Sequence, residues 1–531
     1  MRTTTPFVLA LAAATTAAHG GIPEPPPHLA SLFSSVARDV ENCSAPVVSG
    51  TVPAWLSVTK YNNGFGMFEG GSPADPKSQF AFKYLFDVMP YIVKWRIEAG
   101  AVSFSNKMIQ SEYFEAAKTA IPHFRTFGGF VPPMTALQKA ETLANVVMSD
   151  SFNVNVQQFG SHLLALSDMA GAMEIDADTL ATRGLYAYND TLSASLSMIT
   201  CAHPSQLPGE KYAYNYLVSV MGDMPHVGAV NKFVFFRLDT SAEPLRRELL
   251  LEIPIPNGRT PYMHQFAHTP SYLVLVQYPL HWSIPRIIAS STILPAMEWE
   301  PANGTQVVVV DKASGTIVKT LWYKDGIFAY HHINAFEDDA GDISMDISLV
   351  PCGGSTGAAQ CQHMNAFSMD TIKNNSFAVP ANTITRFTVP VATDSAVITA
   401  KVVTNTSFDL IAFNGAYMGR KYRFAYGTGD HGEGVWWNNL VKVDMETGAT
   451  TEWYKRDHFP SEPNFIARPG ATAEDDGVLL SVVLGGDRNA SYLLVLDAAT
   501  MLPLAEADAP HFLPYLSHGF AAADSADSFI R

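Results

Sequence analysis

The sequence predicts an all-β protein, a seven-bladed β-propeller with a few helices and long loops capping one face. Most of the 531 residues form short alternating apolar segments broken by Gly, Asp, Asn and Pro, a pattern typical of strands and turns. A weak repeat accompanies them, in which an alternating segment runs into an Asp, a turn and a second strand. The repeated aspartates are Asp176, Asp239, Asp311, Asp444 and Asp497.

The spacing of these aspartates sets the number of repeats. Their intervals are 63, 72, 133 and 53 residues, and the third is about two repeat lengths, which indicates one degenerate copy. A period in the sixties with several strands per unit is typical of a β-propeller, and such units from about residue 40 onward give about seven blades. A run of ordinary hairpins is the alternative, because an Asp before a turn is common chemistry.

Composition favours one large domain and argues against one class of partner. Hydrophobic residues make up 47% of the chain, which is ample for a large core. The net charge of -16 argues against nucleic acid, whose protein partners present basic surfaces. We expect residues 1–20 to be a signal or targeting peptide and residues 21–531 to form a single domain.

The N-terminus predicts a targeting segment. Arg2 precedes an apolar run at residues 6–14, and small residues follow to Gly20, which resembles a secretory signal peptide. The predicted destination is the secretory pathway or the exterior. An organelle such as a plastid is the alternative, since organelle leaders are also basic and rich in small residues. N-glycosylation sequons that fit the secretory route occur at Asn42, Asn189, Asn303, Asn374, Asn405 and Asn489.

Cysteine usage leaves two alternatives open. Of the four cysteines, Cys352 and Cys361 flank a Gly-rich tip that would let them pair in an oxidising compartment. Two free thiols are the other interpretation.

Two adjacent histidines, His331 and His332, lie between predicted strands at 316–323 and 343–350, where a strand approaches a turn. Imidazole is a common protein ligand for metals, although one satisfied core histidine beside one exposed histidine is the alternative. The clearest helix is predicted at 134–147, where apolar residues recur at three- and four-residue spacing.

The repeat brings four histidines to a similar phase. They follow Asp176, Asp239, Asp311 and Asp497 by 27, 25, 20 and 21 residues. Residues at the same phase of a blade should lie at the same radius, so side chains at the inner radius would converge on the propeller axis. The sequence therefore predicts a metal site formed by His203, His264, His331 and His518.

Several separated blocks resemble the carotenoid cleavage oxygenase family, which includes the retinal-pigment-epithelium retinoid isomerase. The resemblance spans about Tyr61 to Gly519 and is carried by blocks at residues 201–204, 264–272, 330–337 and 517–519. It implies a seven-bladed propeller that holds one Fe(II) per chain, with O2 as co-substrate. The implied ligands are His203, His264, His331 and His518, and the family spacing selects His331 rather than His332.

The resemblance also implies carboxylates that accept the N–H of three ligand histidines and fix their tautomers. The matching positions are Asp168, Asp409 and Glu462. The family usually has Glu at all three, and Asp is one methylene shorter. Either the backbone moves inward at the two aspartates, a water bridges, or those contacts are weakened. Solvated strand-end carboxylates are the alternative.

Other candidates flank these blocks. Phe266 and Phe336 are weak candidates to line a substrate tunnel, since aromatic residues beside a motif are more often core. The segment Phe127–Val147 is expected to border the tunnel mouth and contact a membrane shallowly, with a buried loop and helix as the alternative. The histidines that match no ligand position are His268, His332, His458 and His511.

The activity implied by the resemblance is oxidative cleavage of a conjugated double bond in a carotenoid or apocarotenoid, a lipophilic polyene, to two carbonyl products. A retinoid isomerase or isomerohydrolase on the same iron site and a stilbene-cleaving enzyme are the catalytic alternatives. A non-catalytic lipid-binding propeller is the third alternative. It would be expected to lack one of the ligand histidines, and this sequence has all four.

Overall fold

The computed structural model describes residues 27–120, 128, 149–190, 192, 197–219, 231–255, 259–282, 286, 294–352, 367–373, 382–433, 436–488, 490–523 and 529–530. Within these ranges the chain is mostly β, and its two α-helices are short: α1 (Glu112–Ala117) and α2 (Met369–Lys373). Six 3-10 helices also occur, at Leu29–Phe33, Leu85–Asp87, Leu294–Ala296, Pro301–Asn303, Gly415–Tyr417 and Gly486–Arg488. The helix predicted at 134–147, and all of Phe127–Val147 except Gly128, lie outside the described residues.

The strands have the following bounds in chain order. The N-terminal part contains β1 (Val40–Ser44), β2 (Val47–Gly50), β3 (Val58–Met67), β4 (Glu69–Gly70), β5 (Phe80–Ala81), β6 (Met89–Glu98), β7 (Ala101–Met108), β8 (Asn155–Phe159), β9 (His162–Leu166), β10 (Met173–Ile175) and β11 (Thr182–Leu185). The middle contains β12 (Ser197–Thr200), β13 (Tyr212–Ser219), β14 (Lys232–Asp239), β15 (Arg246–Pro254), β16 (Thr260–Pro261), β17 (Ala267–His268), β18 (Tyr272–Gln277), β19 (Leu280–Trp282), β20 (Glu298–Trp299), β21 (Thr305–Asp311), β22 (Thr316–Tyr323), β23 (His332–Glu337) and β24 (Ile343–Leu349). The C-terminal part contains β25 (Thr383–Val389), β26 (Thr399–Asn405), β27 (Asp409–Ala412), β28 (Phe424–Gly429), β29 (Asn439–Asp444), β30 (Thr450–Tyr454), β31 (His458–Pro460), β32 (Asn464–Ala467), β33 (Gly477–Gly485), β34 (Ala490–Asp497), β35 (Pro503–Asp508), β36 (Leu516–Ala523) and β37 (Phe529–Ile530).

Seven larger antiparallel sheets follow one another along the described chain. Sheets 1 and 2 are β8–β11 and β12–β15, and sheet 3 is β17-β18-β21-β22. Sheets 4 and 5 are β23–β26 and β27–β30. Sheet 6 joins β31–β35 to β2, and sheet 7 has the order β1-β7-β6-β3-β36-β37. The C-terminal β36 therefore pairs with the N-terminal β3, which ties the two ends of the chain together.

The Asp repeat predicted from the sequence corresponds to one position in these sheets. Asp239, Asp311, Asp444 and Asp497 each end the third strand of a sheet, and Asp176 follows the third strand of sheet 1 directly. Their carboxylates accept backbone N–H groups of the turn that follows, as when Thr500 donates to Asp497 at 2.9 Å. The predicted degenerate copy is sheet 4, whose third strand, β25, ends at Val389 instead.

Two of the predicted strands are confirmed as β22 and β24, the latter ending at Leu349. The histidine pair, however, does not close a strand. His331 immediately precedes β23 and His332 opens it, and sequence alternation did not predict this strand because it is buried along almost its whole length. Cys352 is disulfide-bonded, whereas Cys361 lies outside the described residues.

We predict that Asp311→Ala lowers the free energy of unfolding by about 1–2 kcal/mol, because the carboxylate of Asp311 accepts hydrogen bonds from both the backbone N–H and the hydroxyl of Ser314, each at 2.7 Å. The backbone N–H of Ser314 is the main cause that lowers the pKa of Asp311. A carboxyl whose pKa is lowered by folding stabilises above its unfolded pKa of about 4, and this stabilisation is lost as the pH falls further.

Urea denaturation of the variant and the wild type at pH 7 and at pH 4 measures this difference. The exposed Asp339 of a neighbouring turn provides the control, since Asp339→Ala should leave stability nearly unchanged. Equal stability of Asp311→Ala and wild type at pH 7 would contradict the capping role.

Candidate metal centre

Four histidines from four different sheets meet at one place. His203 follows β12 of sheet 2, His264 precedes β17 of sheet 3, His331 precedes β23 of sheet 4, and His518 lies in β36 of sheet 7. All four are buried, and one ligating nitrogen from each lies within 4.8 Å of the others. Among the described residues this is the one cluster of His, Cys, Asp or Glu side chains suited to a metal. The convergence predicted from the repeat is thus present in the structure.

The protonation state of His331 suits a metal. Burial lowers the pKa of His331 from 6.5 to about 4, although Asp409 acts in the opposite direction, so the ring is neutral near pH 7. The Nε2 of His331 is buried and has no hydrogen-bond partner among the described residues. The Nε2 atoms of His203 and His264 lie 3.0 Å apart, a separation that two imidazoles on one ion at about 2.1 Å each would have. The residues present therefore fit a bound cation.

Three carboxylates hold three of these rings by their other nitrogen. Asp168 lies 2.8 Å from Nδ1 of His264, Asp409 lies 2.5 Å from Nδ1 of His331, and Glu462 lies 2.8 Å from Nδ1 of His518. A carboxylate accepts only, so each Nδ1 carries a proton, and in the neutral form of each ring the lone pair is on Nε2. The three bonds fix the tautomer that a metal requires.

The two short carboxylates reach their rings without an intervening group. At Asp168 the main chain is drawn to sheet 2, since its carbonyl accepts the N–H of Thr200 at 2.9 Å and its Oδ1 accepts the N–H of Ala202 at 3.2 Å. At Asp409 the register of β27 shifts before Ala412, and Leu410 adopts a positive φ of 46°. Residues other than glycine rarely adopt a positive φ, so the backbone is distorted next to Asp409, where this short side chain contacts His331.

A largely apolar cavity of about 850 Å³ adjoins one side of the cluster. His264, His331 and His518 form part of its wall, and the rest is mainly aromatic and aliphatic. The large apolar residues of the wall are Phe65, Tyr84, Leu85, Phe86, Val154, Met169, Tyr262, Tyr330, Phe367, Leu410, Trp437 and Tyr515. Such a cavity accommodates a long apolar molecule beside the cluster.

A second cavity of about 760 Å³ adjoins the other side of the cluster. It is more polar, and its wall includes His203, Gln265, His268, Asn334 and Glu462. The cluster therefore lies between one cavity suited to an apolar ligand and another suited to water.

Comparison with known proteins gives the family. The sequence model of the retinal pigment epithelial membrane protein family matches residues 33–520, which is most of the chain. The chain belongs to this family, that of the carotenoid cleavage oxygenases. The resemblance predicted from the histidine blocks is thereby confirmed.

Individual family members are similar over nearly the whole chain. Carotenoid cleavage dioxygenase 8, chloroplastic, from Arabidopsis thaliana is 27% identical, covering 89% of this chain and 82% of the relative. Carotenoid-cleaving dioxygenase, mitochondrial, from Macaca fascicularis is 26% identical, covering 93% and 94%. The solved structure of a cobalt-substituted Synechocystis apocarotenoid oxygenase has a TM-score of 0.77 at 23% identity, covering 94% and 99%, so it shares the fold.

The two tunnel candidates lie elsewhere. Phe266 borders the second, more polar cavity and packs its ring against Tyr216 and Phe235. Phe336 lines neither cavity, because its side chain packs between sheets 4 and 5 against Tyr422 and beneath Arg386. Neither phenylalanine lines the apolar cavity, and their assignment to a substrate tunnel stays a prediction.

The four discounted histidines lie outside the cluster and have other contacts. His332 bonds to the hydroxyl of Tyr278 at 2.9 Å, and His268 contacts Ser205 and Lys312. His458 bonds to Tyr492, and His511 bonds to Asn106.

Sequence reasoning missed the aromatic wall of this oxygenase. Tyr262 is an example, because its hydroxyl donates to Oδ2 of Asp168 at 2.7 Å and its ring lines the apolar cavity. Its position two residues before His264 was a usable signal, since alternate residues of an extended segment share a face. Phe367 and Trp437, by contrast, reach the wall from distant parts of the chain.

We predict that Asp409→Ala weakens metal binding about 10- to 100-fold, because His331 would lose the carboxylate that fixes its tautomer. Titration of the metal-free protein with Co²⁺, followed by absorbance, measures the change. Asp394→Ala, at an exposed aspartate, should bind Co²⁺ like the wild type. Unchanged affinity in Asp409→Ala would show that this hydrogen bond does not support the site.

Proposed function

We propose that this protein is a non-haem Fe(II) dioxygenase that cleaves a conjugated double bond of a carotenoid or apocarotenoid to two carbonyl products. The observation that carries the proposal is a cluster of four buried histidines, three of which form part of the wall of a large apolar cavity. Family membership and the names of the relatives support the same activity.

The seven sheets are proposed to be the blades of one propeller. Strand β17 of sheet 3 contacts β23 of sheet 4, and β29 of sheet 5 contacts β31 of sheet 6. Strand β32 of sheet 6 contacts β36 of sheet 7, and β36 also contacts β8 of sheet 1. The remaining neighbours are joined by hydrogen bonds: Thr200 to Asp168, Ser205 to His268, and Ser348 to Phe408. A closed circuit of neighbours around the histidine cluster is the pattern that a propeller requires.

The metal proposed for the cluster is Fe(II). Imidazole binds several first-row metals, and the choice of iron rests on the family. The residues that would hold it are His203, His264, His331 and His518. When bound, the iron would supply the redox chemistry that lets O2 react with an alkene.

The protein's side chains orient the imidazole rings, bind the polyene and shield its double bond from water. Asp168, Asp409 and Glu462 hold the imidazole rings in place through their Nδ1 protons. The apolar wall binds a polyene by dispersion and hydrophobic contact and excludes water from the alkene. The reaction adds both atoms of O2 across one C=C bond and requires no net proton, so no side chain is needed as acid or base.

Membrane contact and cellular destination stay predictions. Membrane contact at Phe127–Val147 falls almost wholly outside the described residues, within which no helix is long and apolar enough to cross a bilayer. For the destination, relatives named chloroplastic and mitochondrial support the organelle alternative. The disulfide at Cys352 supports an oxidising compartment.

We predict that the Fe(II)-loaded protein, incubated in air with micellar carotenoids, apocarotenoids, retinyl esters and stilbenes, releases paired aldehyde or ketone fragments that mass spectrometry identifies. His331→Ala should lose iron and activity, because it removes one of the four nitrogens. His332→Ala is the matched control and should retain iron, since His332 lies outside the cluster and bonds to Tyr278.

The other outcomes separate the alternatives. If isomerised substrate or free retinol forms without O2, the activity is that of an isomerase or isomerohydrolase and not of a dioxygenase. If only stilbenes are cleaved, the substrate is a stilbene and not a polyene. Full iron occupancy with no turnover of any substrate would contradict the enzymatic proposal.

A further inference from the structure

Tyr515 borders the apolar cavity and carries a buried hydroxyl without a hydrogen-bond partner among the described residues. The residue is 5% exposed, and its hydroxyl oxygen contacts no hydrogen-bonding group of the described protein. Tyr515 borders the same cavity as His264, His331 and His518. A buried hydroxyl without a partner is costly, and such groups in native proteins usually await a water or a ligand.

The ring of Tyr515 is firmly held. It stacks on Phe65 at a centroid distance of 6.1 Å and meets Trp436 edge-on at 5.2 Å. Its backbone N–H donates to the carbonyl of Leu32 at 2.8 Å, and its carbonyl accepts from Phe65 at 3.1 Å. The hydroxyl is therefore pre-positioned, so that a bond to a ligand costs little conformational entropy.

Several other polar groups on the same wall are already hydrogen-bonded to protein partners. The hydroxyl of Tyr262 donates to Asp168, and the hydroxyl of Ser151 donates to the carbonyl of Val88. The amide of Asn153 donates to the carbonyls of Phe86 and Val88. Asp168 and Asp409 are engaged by histidines.

The chemistry of this hydroxyl defines its partner. Burial raises the pKa of Tyr515 well above 10, so the hydroxyl stays protonated and can donate. The natural partner is a neutral oxygen, as in an aldehyde, ketone or alcohol. A hydrocarbon carotene has no such atom and would leave the hydroxyl buried and unpaired.

We propose that the hydroxyl of Tyr515 donates a hydrogen bond to an oxygen atom of the substrate, so that the cavity selects oxygen-bearing polyenes over hydrocarbon carotenes. The inference rests on the proposed function and narrows its substrate class. A site that hydrogen-bonds a substrate oxygen discriminates against the analogue that lacks it, because its own polar group is then left unsatisfied.

The test compares an apocarotenal, a hydroxylated carotene and β-carotene in micelles with wild type and Tyr515→Phe. The substitution removes one oxygen atom and leaves the ring contacts in place. We expect kcat/KM for the preferred oxygenated substrate to fall about 10-fold in the variant, the range for one neutral hydrogen bond. The value for β-carotene should stay the same or rise.

Tyr426→Phe is the matched control, because its buried hydroxyl bonds to the carbonyl of Ala498 and its ring lies outside the cavity wall. It should leave the substrate ranking unchanged. Quenching of tryptophan fluorescence in the metal-free protein gives a second readout, since Trp437 lines the cavity. Tyr515→Phe, but not Tyr426→Phe, should bind the oxygenated polyene more weakly and bind β-carotene as the wild type does. This result would support the proposal from binding measurements, without any need for turnover.

The outcomes separate this inference from the function on which it rests. If the wild type cleaves oxygenated and hydrocarbon polyenes equally and Tyr515→Phe changes neither, the selectivity proposal fails while the dioxygenase stands. If only one of the two oxygenated substrates responds to the substitution, the bond is to a carbonyl or to a hydroxyl accordingly. If the iron-loaded wild type cleaves no polyene but binding remains sensitive to Tyr515→Phe, the dioxygenase fails while the cavity still recognises oxygen.

Discussion

Three hydrogen bonds between imidazole and carboxylate join parts of the chain that lie far apart, and the centre depends on them. They link His264 to Asp168, His331 to Asp409 and His518 to Glu462, across 96, 78 and 56 residues. A neutral buried imidazole has two tautomers, and only one directs its lone pair at the neighbouring rings. The carboxylates select that tautomer at three of the four rings, so the Nε2 atoms of His264, His331 and His518 are directed at the centre of the cluster.

The distribution of these residues over the fold follows from the same constraint. Asp168 belongs to the segment after β9 in sheet 1, Asp409 opens β27 in sheet 5, and Glu462 lies between β31 and β32 in sheet 6. With the four histidines of sheets 2, 3, 4 and 7, each of the seven sheets contributes one residue to the centre. The pairing of β36 with β3 brings His518 into this arrangement from the far end of the chain.

The two sides of the centre differ in polarity, and that difference assigns their roles. The apolar side presents rings such as Phe65, Tyr330 and Trp437 to a substrate that has little to offer except dispersion and hydrophobic contact. On such a wall an unpaired hydroxyl has more influence than it would in water, because a hydrogen bond is stronger, and an unpaired polar group more costly, in apolar surroundings. The histidine cluster and the apolar wall thus belong to one continuous lining, in which the rings bound the space beside the four imidazoles.

The sequence by itself determined the elements that are written locally. The Asp at the end of each third strand is a turn signal that needs only its next few residues, so the repeat and its degenerate copy were readable before any coordinates. The phase of His203, His264, His331 and His518 in that repeat, together with the family blocks, identified the cluster. Tertiary structure alone decided the rest, because it depends on contacts between distant segments. Whether Asp168 and Asp409 could reach their rings depended on a bond to sheet 2 and on the distorted backbone at Leu410. Phe336 lies in the core and Tyr515 borders the apolar cavity because of which sheets pack together. No spacing along the chain encodes this packing.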